Sequence, residues 1–113
     1  MPNSAVKPLI LVVEDDPAVR NLIVAALEAR GLRHMAVETA HAAIVAASSQ
    51  APSIVLLDLG LPDMDGVKVV ESVRAWSGMP IIVVSARSED ADKIRALDAG
   101  ADDYLTKPFA IEE

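Results

Sequence analysis

One aspartate at the end of an apolar run constrains this chain more than any other feature. The run Ile54–Leu57 has four apolar residues without polar alternation, and it leads into Asp58 and then a loop with Gly60 and Pro62. Such a run is typical of a parallel strand that is covered on both faces. Ligands of open parallel sheets bind beyond the carboxyl ends of the strands, so Asp58 would lie at that edge. From this stretch alone, a structural role as a turn or helix-capping aspartate is equally open.

Three more apolar runs end on charged or hydroxyl-bearing residues. One begins at Leu9, another at Ile81, and a shorter one at Tyr104. A short strand is also predicted over 34–37. Because the carboxyl ends of parallel strands meet at one edge, we expect the residues after these runs to lie together. They are Glu14, Asp15 and Asp16, then Ser85, and then Lys107.

Amphipathic segments between the runs predict four helices, over 17–30, 39–48, 67–76 and 89–99. Asp16 is a suitable N-cap and Pro17 a suitable first residue, so Asp16 has a sufficient structural role. Thr39 suits the cap of the second helix, and Gly31 and Gly100 suit the ends of the first and fourth. Alternating strands and helices predict an α/β fold, a doubly wound five-stranded parallel sheet with right-handed crossovers.

The composition excludes several classes of protein. A length of 113 residues suits one domain, and a net charge of −7 opposes sequence-independent binding to nucleic-acid phosphates. Any contact with DNA would therefore need another domain. The absence of Cys excludes disulfides and thiolate metal sites. No stretch approaches the length of a membrane span and the N-terminus does not match a signal peptide, so a cytoplasmic location is expected.

Clustered carboxylates at one edge would need a cation, because like charges repel. An all-oxygen set of ligands with open positions for water suits Mg²⁺. With a metal and Lys107 offsetting charge, the Asp58 carboxylate could attack phosphorus and form an aspartyl phosphate. The Ser85 hydroxyl would be a second donor. Taken singly, Lys107 and Ser85 are weak evidence for such a site, since a single Lys is usually a surface cation and a single Ser is usually a turn former.

The chain resembles the receiver domains of bacterial two-component response regulators over essentially its whole length. The likeness rests on residues 11–16 (LVVEDD), 58–66 (DLGLPDMDG), 85–86 (SA) and 100–109 (GADDYLTKPF). Residues 76–80, 85–89 and 92–100 further resemble the winged-helix DNA-binding branch, and within it the regulators of potassium transport (Kdp).

This resemblance implies roles for the residues at the strand ends. Asp58 would accept a phosphoryl group from a histidine kinase, and the sheet order would be 2-1-3-4-5. The peptide bond between Lys107 and Pro108 would be cis. Direct Mg²⁺ ligands would be Asp15, Asp58 and the Gly60 backbone carbonyl, Glu14 would act through water, and Ser85 and Lys107 would contact the phosphoryl oxygens.

The resemblance also implies a route for the signal. The loop after the fourth strand would move inward with Ser85, and Tyr104 would rotate inward with it. For an arbitrary Tyr, a half-buried ring with its hydroxyl in water is an equally good interpretation. The full-length protein would dimerise on phosphorylation through its fourth helix and fifth strand, although an ordinary solvated face is the alternative for the charged residues there. Those residues are Lys93, Asp98, Asp102 and Asp103.

By the same resemblance, residues 1–113 form one receiver domain that ends where a fifth helix begins, at Ile111. The DNA-binding effector domain is expected to lie outside this chain. Without the fifth helix, apolar sheet surface beside the first helix would be uncovered, so we expect lower stability or an association that buries it.

Other classes fit less well. A metal-dependent aspartyl-phosphate hydrolase would resemble this chain but would need a second aspartate at Gly60, and a phosphorylation-independent pseudo-receiver usually lacks part of the acidic and lysine set. A Ca²⁺ loop with its glycine at Gly66 would place Leu61 and Ser72 at ligand positions, which excludes it. A nucleotide-binding loop would need glycines or hydroxyls where the first strand ends, instead of acids.

Overall fold

Within residues 8–87 and 89–107, which the computed structural model describes, five parallel strands form one sheet. The strand order β2-β1-β3-β4-β5 confirms the order that the resemblance implied. The strands are β1 (Leu9–Val13), β2 (Arg33–Val37), β3 (Ile54–Leu57), β4 (Ile81–Ser85) and β5 (Asp103–Thr106), and the helices are α1 (Pro17–Ala29), α2 (Ala40–Gln50), α3 (Val67–Arg74) and α4 (Asp90–Ala99).

The element boundaries follow the predictions closely. The main difference is α3, which ends at Arg74 and not near Trp76. The Trp76 amide still bonds to the Val73 carbonyl at 3.1 Å, so the backbone continues as a tighter turn after the helix. The predicted fifth helix and the bond between Lys107 and Pro108 lie outside the described residues. No helix in the described ranges is long and apolar enough to cross a membrane.

Two predicted helix caps are present. The Asp16 carboxylate accepts a hydrogen bond from the Ala18 amide at 2.9 Å, with Pro17 in the first turn. The Thr39 hydroxyl accepts one from the Ala42 amide at 3.0 Å. These bonds satisfy donors that have no partner within the helix. Asp16 therefore has a structural role, and it turns the chain away from the sheet directly after Glu14 and Asp15.

The core lies where aliphatic side chains of the central strands meet the helices. Its strand residues are fully buried, as the continuous apolar runs predict. Helix α2 contributes four buried alanines, whose small side chains let its backbone approach the sheet closely. Burial of aliphatic surface on both faces fixes the direction and register of the strands, and so fixes where their carboxyl ends lie.

Gly66 lets the loop after β3 fold back against the backbone of Asp58. A Cβ atom at Gly66 would lie 2.7 Å from both the Asp58 carbonyl oxygen and the Leu59 Cα atom. The Gly66 amide also donates to the Leu59 carbonyl oxygen at 2.8 Å. Because the crowding atoms belong to the backbone, a side chain here would push the loop away from Asp58.

Asp63 fastens the same loop to the start of α2. Its carboxylate accepts hydrogen bonds from the Ala40 amide at 2.8 Å and the His41 amide at 2.9 Å. These bonds, Ala40 first, hold the pKa of the Asp63 carboxyl below its usual value. Helix α2 is thus capped by Thr39 from its own chain segment and by Asp63 from the loop after β3.

We predict that Gly66→Ala lowers the free energy of unfolding by about 1–3 kcal/mol, because the new methyl group overlaps backbone atoms. Urea unfolding measures this. The matched control is Gly78→Ala, since a Cβ at Gly78 meets no heavy atom within 4 Å. Equal effects of the two substitutions would contradict the proposed packing of the loop on Asp58.

We also predict that Asp63→Ala destabilises the protein in a pH-dependent way. The folded-state pKa of Asp63 is depressed, so its stabilising contribution is fully present above the unfolded pKa and is lost as pH falls through the folded pKa. The stability difference between parent and variant should therefore shrink as urea unfolding is repeated from neutral pH to about pH 3. Asp98→Ala, which removes an exposed carboxylate on α4, controls for net charge. A difference that does not change with pH would refute the prediction.

Candidate functional site

Three carboxylates meet at the carboxyl edge of the sheet, after β1 and β3. Carboxylate oxygens of Glu14, Asp15 and Asp58 all lie within 4.8 Å of one another. Strands β1 and β3 are adjacent, and the Asp58 amide extends their ladder by donating to the Val13 carbonyl oxygen at 3.0 Å. The predicted convergence of these three acids is therefore present.

The three acids differ in exposure. Glu14 is 2% exposed and Asp58 is 8% exposed, whereas Asp15 is half-buried as a residue and its side chain is exposed. Burial raises the pKa of the Glu14 carboxyl, and this effect outweighs the hydrogen bonds from Lys107 and the Asp16 amide. The cluster thus combines two buried acids with one acid whose side chain reaches solvent. Ionising all three carboxylates without a cation nearby costs free energy.

Lys107 supplies one positive charge to the cluster. Its ammonium nitrogen lies 2.6 Å from Glu14 Oε1 and 3.6 Å from Asp58 Oδ2. Burial alone would lower the pKa of Lys107, but the bond to Glu14 and the charge of Asp58 outweigh it, so the pKa is raised. Lys107 therefore remains a cation. The stronger contact of its ammonium is with Glu14, whereas the sequence analysis considered only a contact with phosphoryl oxygens.

The backbone holds Lys107 in place through β4. Its amide donates to the Ser85 carbonyl oxygen at 2.8 Å, which continues the pairing of β4 and β5 past the end of β5. Lys107 and Ser85 thus lie side by side at the sheet edge, although they are far apart in sequence. This is the arrangement that parallel strands predict.

One ammonium facing three carboxylates leaves the cluster short of positive charge. The ligand atoms are all oxygens, and the surface position of Asp15 leaves room for water. This donor set fits Mg²⁺, which takes few protein carboxylates and keeps several waters. The Gly60 amide donates to Asp58 Oδ1 at 3.3 Å, so the residue whose carbonyl the resemblance implies as a ligand lies beside Asp58.

Asp58 does not cap a helix, so the helix-capping alternative is wrong, whereas the bond from the Gly60 amide is a turn contact. Helix α3 begins at Val67, after Gly66 at the N-cap position, and the Val67 amide donates to Asp65 Oδ1 at 3.0 Å. The Asp58 carboxylate contacts the Gly60 amide at 3.3 Å and the Lys107 ammonium at 3.6 Å. Asp63 and Asp65 are both used by backbone amides at helix starts, which agrees with the exclusion of a Ca²⁺ loop.

The hydroxyls of Ser85 and Tyr104 both bond to the segment after β4. Ser85 is 1% exposed, and its oxygen accepts a hydrogen bond from the Arg87 amide at 3.1 Å. The half-buried Tyr104 donates its hydroxyl to the Arg87 carbonyl oxygen at 2.6 Å. The Tyr104 hydroxyl therefore has a protein partner, and the alternative that left it in water is wrong.

The four charged residues of α4, β5 and the turn between them are in different surroundings. Lys93 is half-buried and Asp98 is exposed. Asp103 accepts a hydrogen bond from the Tyr104 amide at 2.7 Å. Asp102 bonds to the Arg74 guanidinium and to the Ile81 amide, both at 2.8 Å. Asp102 therefore has an intramolecular role that the sequence analysis did not predict.

A group of ion pairs beside the site was not predicted from the sequence. Asp65 Oδ2 lies 3.1 Å from Arg87 and 3.3 Å from Arg95, and both arginines also approach Asp92. Asp65 and Arg87 are 22 residues apart, so no local pattern joins them. The sequence feature that could have indicated this contact is that Asp65 and Arg87 both follow strands that end at the same edge of the sheet.

Comparison with known proteins gives the family. The family model described as "Response regulator receiver domain" matches residues 10–113. The KDP operon transcriptional regulatory protein KdpE of Escherichia coli is 51% identical over 104 residues, which cover 92% of this chain and 46% of that protein. KdpE of Mycobacterium tuberculosis is 46% identical over 105 residues, which cover 93% of this chain and 46% of the relative. The chain thus spans less than half the length of these relatives, and the predicted likeness to Kdp regulators is confirmed.

Solved structures agree with this result. A two-component response regulator from Clostridium difficile has a TM-score of 0.90 at 27% identity, covering 94% of this chain and 88% of that one. The receiver domain of the sensor histidine kinase PA1611 from Pseudomonas aeruginosa has a TM-score of 0.86 at 34% identity, covering 95% of this chain and 90% of that one. The latter structure has a magnesium ion coordinated in its active-site cleft. This chain belongs to the response regulator receiver domains, the phosphoacceptor domains of two-component signalling.

Proposed function

We propose that Asp58 is the phosphoacceptor and that its phosphorylation depends on Mg²⁺. The observation that carries this proposal is the cluster of Glu14, Asp15 and Asp58, with ligand atoms within 4.8 Å of one another. Lys107 lies 3.6 Å from Asp58, on the same edge. This is the set of groups that attack by a carboxylate on phosphorus requires, namely a nucleophile, a metal site and a fixed cation.

In the proposed reaction, an Asp58 carboxylate oxygen forms a bond to phosphorus as the bond from phosphorus to the leaving group breaks. With a phosphohistidine donor, the leaving imidazole nitrogen keeps the electron pair and the kinase histidine is regenerated. Mg²⁺ held by Asp15, Asp58 and the Gly60 carbonyl, with Glu14 acting through water, would offset charge on the transferring oxygens. Hydrolysis would then remove the group, as a water oxygen forms a bond to phosphorus and the bond from phosphorus to the Asp58 oxygen breaks, which releases phosphate and regenerates the carboxylate.

Lys107 would change partners during the transfer. In the resting structure its ammonium is bonded to Glu14, and Asp58 is only 3.6 Å away. A phosphoryl group on Asp58 adds oxygens that accept charge-assisted hydrogen bonds. Lys107 can reach these oxygens by a small shift, because its backbone is fixed by β4. Ser85 would donate its hydroxyl proton as the loop after β4 moves inward, since the Arg87 amide occupies only a lone pair of the Ser85 oxygen.

The wider role we propose is that of relatives with the same family domain. A bacterial sensor histidine kinase would donate the phosphoryl group in the cytoplasm. The signal would pass through Ser85 and Tyr104 to α4 and β5 and promote a homodimer. Transcription would then be controlled by a DNA-binding domain outside this chain, in keeping with the names of the Kdp relatives. The charged residues of that face would be Lys93, Asp98, Asp102 and Asp103.

Two alternatives are less well supported. A phosphohydrolase of the aspartyl-phosphate type would need a second carboxylate at Gly60, where this chain has no side chain. A pseudo-receiver would have little use for a cluster of three acids whose ionisation costs free energy. The assembled acidic cluster and Lys107 favour a phosphorylated receiver over both.

We predict that incubation with acetyl phosphate and Mg²⁺ adds one phosphoryl group, and that Asp58→Asn abolishes the addition. In acetyl phosphate the bond from phosphorus to the acetate oxygen breaks, and acetate leaves. Intact-protein mass spectrometry measures the adduct. The matched control is Asp16→Asn, which changes an acid two residues from Glu14 that caps α1 and lies outside the cluster. A Mg²⁺-independent adduct, or one that persists in Asp58→Asn, would refute the proposal.

A further inference from the structure

Arg87 is a junction between the hydroxyl residues and the loop after β3. Its amide donates to Ser85 Oγ at 3.1 Å, and its carbonyl accepts the Tyr104 hydroxyl at 2.6 Å. Its guanidinium bonds to Asp65 Oδ2 at 3.1 Å. We propose that Asp65 is a positioning residue that holds Arg87, and through it Ser85 and Tyr104, in the resting arrangement. This inference rests on the proposed function of Asp58.

The two oxygens of Asp65 have separate partners. Oδ1 accepts the Val67 amide at 3.0 Å and so fixes the start of α3. Oδ2 faces Arg87 at 3.1 Å and Arg95 at 3.3 Å. Burial opposes ionisation of Asp65, but these partners outweigh it and lower its pKa. The carboxylate is therefore charged at neutral pH, and one oxygen is devoted to the arginines.

Asp65 also belongs to the loop that carries the phosphoacceptor. Gly60 and Asp65 form an isolated β-bridge, which closes the loop between them. The Gly60 amide in turn contacts the Asp58 carboxylate at 3.3 Å. A change at Asp58 can thus reach Asp65 through one closed turn, without passing through the sheet.

The resting contacts of Arg87 oppose the proposed activation. The Arg87 amide fixes the position of the Ser85 oxygen, so a move of Ser85 towards a group on Asp58 disturbs that bond. Moving residues 85–87 also breaks the bond from Tyr104, because both hydroxyls depend on the backbone of Arg87. The ion pair with Asp65 therefore favours the resting positions of both hydroxyls together.

The ion pair is weak enough to shift the equilibrium between the resting and activated positions of the two hydroxyls without locking it. The side chains of Arg87 and Asp65 are 35% and 33% exposed, so solvent screens their attraction. Partly exposed pairs of this kind shift an equilibrium by roughly two- to five-fold. Removing the pair should therefore raise the phosphorylation rate by that factor, without disrupting the acidic cluster.

The test uses two readouts in this chain. The first is the fluorine NMR signal of 3-fluorotyrosine at Tyr104, which is the single tyrosine of the sequence. The second is the initial rate of phosphorylation by acetyl phosphate with Mg²⁺. Asp65→Asn keeps an oxygen for the Val67 amide and removes the charge, and Arg87→Gln removes the guanidinium. Arg95→Gln is the control, because Arg95 shares the same carboxylate but has no bond to Ser85 or Tyr104.

We expect Asp65→Asn and Arg87→Gln to shift the Tyr104 signal in the same direction and to raise the rate about two- to five-fold. The double variant should change each readout by less than the sum of the two single variants, since the contact between Asp65 and Arg87 is lost only once. Arg87→Lys, which keeps the charge, should move both readouts back towards the parent.

The proposal is overturned if the Tyr104 signal or the rate is unchanged in Asp65→Asn, or if Arg95→Gln has the same effect. Failure of the proposed function gives a different result. In that case the parent chain forms no adduct at all, and the fluorine signals of the unphosphorylated variants still decide whether Asp65 positions Arg87 and Tyr104.

Discussion

Repulsion among three carboxylates, offset by one lysine, is the constraint on which this structure depends. Glu14 and Asp58 are buried, and the side chain of Asp15 beside them is exposed. Lys107 neutralises part of the cluster through its 2.6 Å contact with Glu14, and desolvation still raises the pKa of Glu14. A cluster that is costly in the resting protein is a favourable place for a divalent cation and a reactive carboxylate.

The fold keeps the three carboxylates close together by fixing the edge of the sheet at several points. Aliphatic burial sets the register of β1, β3 and β4, so the strand ends cannot separate to relieve the repulsion. The loop after β3 is then anchored at three points. Asp63 bonds to the start of α2, Gly66 packs on the Asp58 backbone, and Asp65 pairs with arginines of the β4–α4 segment and α4. Each anchor keeps Asp58 in place by a different physical means.

Much of the fold and the acidic site could be predicted from sequence, because apolar runs locate parallel strands and parallel strands share one carboxyl edge. That reasoning brings Glu14, Asp58 and Lys107 together without any knowledge of side-chain geometry. It cannot give the partners of individual atoms. The contact of Lys107 with Glu14, the cap that Asp63 supplies to α2, and the pairing of Arg87 with Asp65 all join residues that are distant in sequence. Such contacts depend on loop conformations that no local pattern specifies.

The most direct measurement of the central claim is thermal unfolding of the parent chain and Asp58→Asn, with and without Mg²⁺. If the three carboxylates repel one another at this edge, Asp58→Asn should be at least as stable as the parent in the absence of metal. Mg²⁺ at about one hundred times its dissociation constant should stabilise the parent by about 2.7 kcal/mol and the variant by much less. A parent that Mg²⁺ does not stabilise, together with a variant that is less stable without metal, would contradict the account.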